Sequence, residues 1–134
     1  MVTLLNDYYR LDGRVALGGD TIFDITLLPD YRAYAGHFPD NPVSPGVCNI
    51  QMIKECAELL TGKRLLLAYI GKCRFSTVLT PQTTSGLRLR LRITGGNSFI
   101  GRTETMKQST YQAFATLYDD TATYVAFKGE FTDI

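Results

Sequence analysis

Between Gly46 and Leu60 the chain carries one long helical pattern, and apolar residues occupy most of its circumference. At about 100° per residue, Cys48, Met52, Ile53, Cys56, Ala57, Leu59 and Leu60 spread around the axis, leaving Gln51, Lys54, Glu55 and Glu58 on one polar strip about 100° wide. A helix apolar on so many sides has to be enclosed by other elements. Ser44 as N-cap and Pro45 at the first helical position mark its start, and Thr61-Gly62 marks its stop.

The enclosing material reads as strand. "TIFDITLL" (Thr21 to Leu28) alternates apolar and polar residues and is ended by Pro29-Asp30, after which Tyr31 to Pro45 reads as loop. Beyond the helix follow "RLLLAYIGKCRFSTVL", "SGLRLRLRI", "NSFIGRTETMK", "TYQAFATLYDD" and "ATYVAFKGEF", with turns at Thr94-Gly95-Gly96-Asn97 and Asp119-Asp120-Thr121. "LRLRLRI" is the clearest alternation, and Arg88, Arg90 and Arg92 on its polar face point to solvent, with an acidic partner as the second reading. One enclosed helix and many antiparallel strands have an economical α+β solution: a curved sheet wrapped around the helix. The length of 134 residues fits a single domain spanning 1–134.

Fourteen basic and 13 acidic residues are interspersed to a net charge of +1, which gives no general field for nucleic acid or an anionic membrane. No apolar run is long enough to span a membrane, and the first residues lack the features of a secretory signal. Cys48 and Cys56 lie eight positions apart on the helix, a rise of about 12 Å, too far for a disulfide. With Cys73 they suggest a reduced, cytoplasmic protein, and the absence of C-x-x-C disfavours a metal site.

The lone histidine sits in "GHFPDNPVSPGVCNIQ" (Gly36 to Gln51), which also holds three of the five prolines. The prolines keep this loop from being helical and can hold His37 rigidly near the helix N-terminus. There the backbone N–H groups of Gly46 and Val47 can donate to an oxygen that becomes negative, and glycine permits close approach of a ligand. A base beside such donors suits removal of a proton α to a thioester carbonyl.

"GHFPDNPVSPGV" followed by a helix resembles the "GHFPxxPxxPGV" signature of hotdog-fold 3-hydroxyacyl-(acyl-carrier-protein) dehydratases of bacterial fatty-acid synthesis. The likeness continues into "GKCRFSTVLTP" (Gly71 to Pro81) and covers about residues 14 to 132. It implies a hotdog fold paired as a homodimer and dehydration of a 3-hydroxyacyl thioester, borne by acyl carrier protein or coenzyme A, to the trans-2-enoyl form. It implies no cofactor. His37 would remove the C2 proton, the Gly46 amide would polarise the carbonyl, and Phe38 lines the acyl channel or anchors the loop.

In that family the histidine works with a carboxylate on the neighbouring subunit's helix. Here the corresponding position is Gln51, and Glu55 follows one turn later, so the family's "ExxxQ" stands as "QxxxE". In one reading Glu55, or a water it holds, takes the acid role while Gln51 orients the hydroxyl. In the other the pair does not dehydrate, and the chain is a thioesterase that activates water through Glu55, or a non-catalytic subunit binding carriers or a catalytic paralogue. The remaining polar residues read as structural. Lys54 and Glu58 form a solvated i,i+4 pair, Asn49 fixes the preceding loop, Asp40 and Asn41 make a turn, and Cys48 and Cys56 are small core residues.

Overall fold

The computed structural model describes residues 3–29, 31, 46–77, 79–80, 86–95 and 109–133. The "LRLRLRI" alternation becomes β4 (Leu87–Gly95), in which Leu87, Leu89 and Leu91 are buried while the arginines between them face outward. β2 (Asp20–Leu27) buries Phe23, Ile25 and Leu27 in the same way, and β5 (Thr110–Tyr118) buries Tyr111, Ala113, Ala115 and Leu117. With β1 (Tyr9–Leu17), β3 (Leu65–Phe75) and β6 (Thr123–Asp133) they form one sheet in the order β1-β2-β4-β5-β6-β3, each neighbouring pair antiparallel.

The helix α1 (Gly46–Thr61) lies in the concave face, and Met52, Ile53, Cys56 and Ala57 are fully buried there. Burying a side chain the size of methionine or isoleucine stabilises the fold by about 1.5–3 kcal/mol. This is the hotdog arrangement that the sequence implied. Gly62, at φ +69°, ends the helix in the left-handed conformation that favours glycine, and its N–H donates to the Glu58 carbonyl at 2.9 Å.

Two features depart from the sequence reading. β1 is a strand that the sequence reading did not expect: it carries no clear alternation, because only Tyr9 and Leu11 turn inward before a bulge at Leu11/Gly13 shifts the register. The helix strip is not solvated: Lys54 and Glu55 are buried, Gln51 and Glu58 half-buried. Lys54 does pair with Glu58, at 3.9 Å, but inside the protein. The expected strand "NSFIGRTETMK", the cap residues Ser44 and Pro45, and the turn at Asp40-Asn41 lie outside the described residues.

Glycine is required at 129, where β6 passes the twice-bulged β3. A methyl group there would stand 2.5 Å from the Tyr69 carbonyl oxygen and 2.8 Å from Phe127 Cζ. We expect Gly129→Ala to lower stability in thermal unfolding by about 3 kcal/mol, the upper end for overpacking, since one obstacle is backbone. A cost near zero would show that β3 can yield.

The β5–β6 turn is tied by Asp119, which accepts from the Thr121 amide and hydroxyl, the Ala122 amide and the Tyr124 hydroxyl at 2.6–2.9 Å. The Tyr124 bond is the chief cause of a carboxyl pKa held at about 2, with the Thr121 and Ala122 donors adding to it against the opposing effect of burial. Because the folded carboxyl titrates below its unfolded value, the turn's contribution is full above pH about 4 and is lost as pH falls toward 2. Asp119→Asn is expected to remove this acid dependence, read as amide shifts of Thr121 and Ala122 in a pH titration.

Candidate active site

α1 begins at Gly46, so its first amides have no acceptor within the helix and carry its partial positive charge. No acidic side chain occupies the first turn. Val47 is 76% exposed, and the ring of Phe75, at the end of β3, lies so close over Gly46 that a methyl group there would stand 2.9 Å from its Cζ. Glycine at 46 is therefore required by packing against Phe75. His37 and Phe38 lie outside the described residues.

One turn into the helix the structure brings Gln51 and Glu55 together: the Gln51 side-chain amide donates to Glu55 Oε2 at 2.9 Å. The same oxygen accepts the Leu4 N–H at 2.8 Å, and Oε1 accepts the Leu5 N–H at 3.1 Å and the Tyr9 hydroxyl at 2.8 Å. Two donors on each oxygen fill the acceptor capacity of a carboxylate. Glu55 is thus an anchor for the segment leading into β1. Burial pushes the Tyr9 hydroxyl far above the usual phenol range, Cys56 and Glu55 acting in the same direction, so Tyr9 remains a donor.

Asn49 also serves this segment: it is buried and accepts the Tyr8 hydroxyl at 2.6 Å. This bond ties it to the N-terminal segment; the loop it was expected to fix lies outside the described residues. Glu58 accepts the Leu65 N–H at 2.9 Å, joining the helix to the start of β3. Cys48 and Cys56 belong to the core, and burial pushes the Cys56 thiol up to about 12. Among the described residues no three metal-ligating side chains converge, and no helix is long and apolar enough to cross a membrane.

Sequence reasoning passed over Leu4, Leu5, Tyr8 and Tyr9. The available signal was a pair of leucines and a pair of tyrosines ahead of a helix whose polar strip needed donors. Replacing Glu55 by Gln turns an NH2 group toward N–H donors and should lower stability by about 3 kcal/mol, whereas Tyr9→Phe removes one bond and should cost about 1 kcal/mol. Urea unfolding distinguishes them; equal, negligible costs would contradict the anchor.

A family model described as ApeI dehydratase (ApeI-like) matches residues 17–113. The 3-hydroxyacyl-(acyl-carrier-protein) dehydratase FabZ of Caldanaerobacter subterraneus subsp. tengcongensis is 42% identical over 55 residues, covering 36% of this chain and 39% of that protein. FabZ of Halalkalibacterium halodurans is 36% identical over 89 residues, covering 61% of this chain and 57% of that protein. The matched stretches thus span less than two thirds of these curated relatives. In fold the chain is similar to a solved structure described as the dehydratase heterocomplex ApeI:P from Xenorhabdus doucetiae, with a TM-score of 0.60, 23% identity, and coverage of 91% of this chain and 96% of that one. The chain belongs to the ApeI-like dehydratases, a family of the hotdog fold.

Proposed function

We propose that the protein dehydrates a 3-hydroxyacyl thioester to the trans-2-enoyl form, paired with a subunit that supplies the carboxylic acid. The acyl group is carried on an acyl carrier protein, with coenzyme A as the alternative carrier. His37 takes the C2 proton, and the electron pair left behind forms the C2–C3 double bond as the C3–O bond breaks. The hydroxyl leaves as water after receiving a proton from the acid. The Gly46 amide, with Val47 beside it, polarises the thioester carbonyl, and Phe38 lines the acyl channel.

The observation that carries this reading is the filled carboxylate of Glu55 beside an amide at position 51. An amide cannot supply a proton at neutral pH. Glu55 could do so, or activate a water for thioester hydrolysis, only by giving up one of its four donors. In the dehydratases this chain resembles, histidine and carboxylate meet across a subunit interface. A partner bearing a carboxylate at the place of Gln51 would complete a site with His37. The description of the related structure as a dehydratase heterocomplex fits such a mixed pair. The edge strand β3 offers a surface for pairing: Leu66, Leu67, Tyr69 and Ile70 are 47%, 39%, 59% and 42% exposed.

Enoyl formation from a 3-hydroxyacyl carrier protein tests the reading. Turnover by this chain alone should be slow, rise at least tenfold in Gln51→Glu, and fall about 10²–10⁴-fold when His37→Ala is introduced into the active form. Turnover indifferent to His37→Ala, or thiol release without enoyl product, would overturn dehydration. Full activity of the unpaired wild type would overturn the need for a second subunit's acid.

A further inference from the structure

The bulge in β1 inverts that strand's own pattern. Tyr9, Leu11, Gly13, Val15 and Leu17 occupy alternate positions with Arg10, Asp12, Arg14 and Ala16 between them, so an unbroken strand would turn its apolar set inward along its whole length. The register shift between Leu11 and Gly13 reverses this. Arg14 stands opposite Phe23 on the concave face, while Val15 and Leu17 stand opposite Ile22 and Asp20 on the outer one. Val15 and Leu17 are left 57% and 56% exposed, and a guanidinium is brought to a face that is otherwise almost all apolar. Among the described residues the Arg14 side chain has no hydrogen-bond or ion-pair partner there. Asp12 is engaged instead by Arg10, at 2.7 Å, and by the Thr26 hydroxyl. A charge placed only to keep this edge from pairing would not call for two aliphatic side chains to be exposed on the same edge. Bulges re-aim side chains beside sites, and a local pattern overridden without gain inside the fold marks a position that serves binding.

Arg14 lines a cleft of about 360 Å³, bounded on the sheet side by Leu11 and Phe23 and on the helix side by Leu59. Phe23 is buried, whereas Leu59 is 48% exposed, an aliphatic side chain of the central helix that the sheet leaves uncovered. The cleft thus joins an apolar lining to one exposed cation that lacks a carboxylate. Its volume falls within the range of about 300–1,000 Å³ usual for small-molecule sites. At about 30 Å³ for each water-sized group it holds roughly twelve heavy atoms. A guanidinium meets a carboxylate through two parallel hydrogen bonds, one charge against one charge. The Asp12 carboxylate on the same wall disfavours a doubly charged phosphate head. Leu59 lies about 20 Å along the helix axis from Gly46, so the cleft is separate from the leading amides of α1. β1 and β3 are opposite edges of the sheet, and pairing through β3 leaves the cleft open.

We infer that this cleft binds a single-chain carboxylate, a free fatty acid of medium length, with its chain along Leu11, Phe23 and Leu59 and its head on Arg14. Calorimetric titration of the full chain with decanoate below its micellar concentration, together with amide shifts in NMR spectra, tests it. Decanoate should bind once per chain, with the largest shifts at Leu11, Gly13 and Phe23. Its affinity should fall at least tenfold in Arg14→Gln and in Leu59→Ser, both exposed positions, and stay unchanged in Val15→Ser on the other face of the same strand. Decanol, which has the chain without the charge, should bind at least tenfold more weakly and be indifferent to Arg14→Gln. Decanoate affinity unmoved by Arg14→Gln, decyl phosphate bound more tightly than decanoate, or shifts gathered at Gly46 and Val47 instead would overturn the assignment. No turnover enters these measurements, so they decide the cleft whether or not the chain dehydrates a thioester.

Discussion

The carboxylate of Glu55 joins α1 to the N-terminal segment and the start of β1, about fifty residues away in sequence. It receives the amides of Leu4 and Leu5, the hydroxyl of Tyr9 and the side-chain amide of Gln51. Those two backbone amides precede the first strand and have no ladder to satisfy them, and buried donors without acceptors cost on the order of 1–3 kcal/mol each. With the Tyr8–Asn49 bond, Glu55 seats Leu4, Tyr8 and Tyr9 in the core against the one side of α1 that would otherwise present polar groups. The helix is thereby held on its polar strip as well as its apolar sides, and the position of its leading amides at Gly46 follows from that grip.

The parts of the fold legible in the sequence are those whose burial repeats locally. Leu87, Leu89 and Leu91 alternate with arginines, and Met52, Ile53 and Cys56 recur at helical spacing, so each element announces its inward face without reference to any other. β1 was illegible because it is an edge strand, bulged at Leu11/Gly13, with most of its residues exposed. The burial of Lys54 and Glu55 was illegible for a different reason: a polar strip reads as solvated unless its partners are known, and those of Glu55 lie about fifty residues away. The start of the candidate site was marked by Gly46 and Val47 ahead of an apolar helix. The chemistry assigned to His37 came from the likeness of the whole "GHFPDNPVSPGV" stretch to a family signature, since a lone histidine in a loop indicates little by itself.

The sheet's two faces divide the labour. The concave face is committed to enclosing α1, and its inward residues are almost all apolar. The outward positions of the same strands are free to vary, and here they gather charge of one sign around Asp20. These pairs join two half-exposed arginines of β4 to one buried carboxylate at the start of β2.

The exchange of carboxylate and amide along one helical turn links these roles. The N-terminal amides reach the helix at the level of residue 55, so an acceptor there is fixed by packing, and Gln51 lies within hydrogen-bond distance of it. A second carboxylate at 51 would face the first in buried surroundings, where like charges disfavour joint ionisation and one proton is retained to higher pH. Raising a carboxyl's affinity for its proton is what a general acid near neutral pH requires. The Glu55 anchor thus does not oppose chemistry at position 51; it would tune a carboxyl placed there. In this chain that place holds an amide, which donates to the anchor and has no proton to supply at neutral pH.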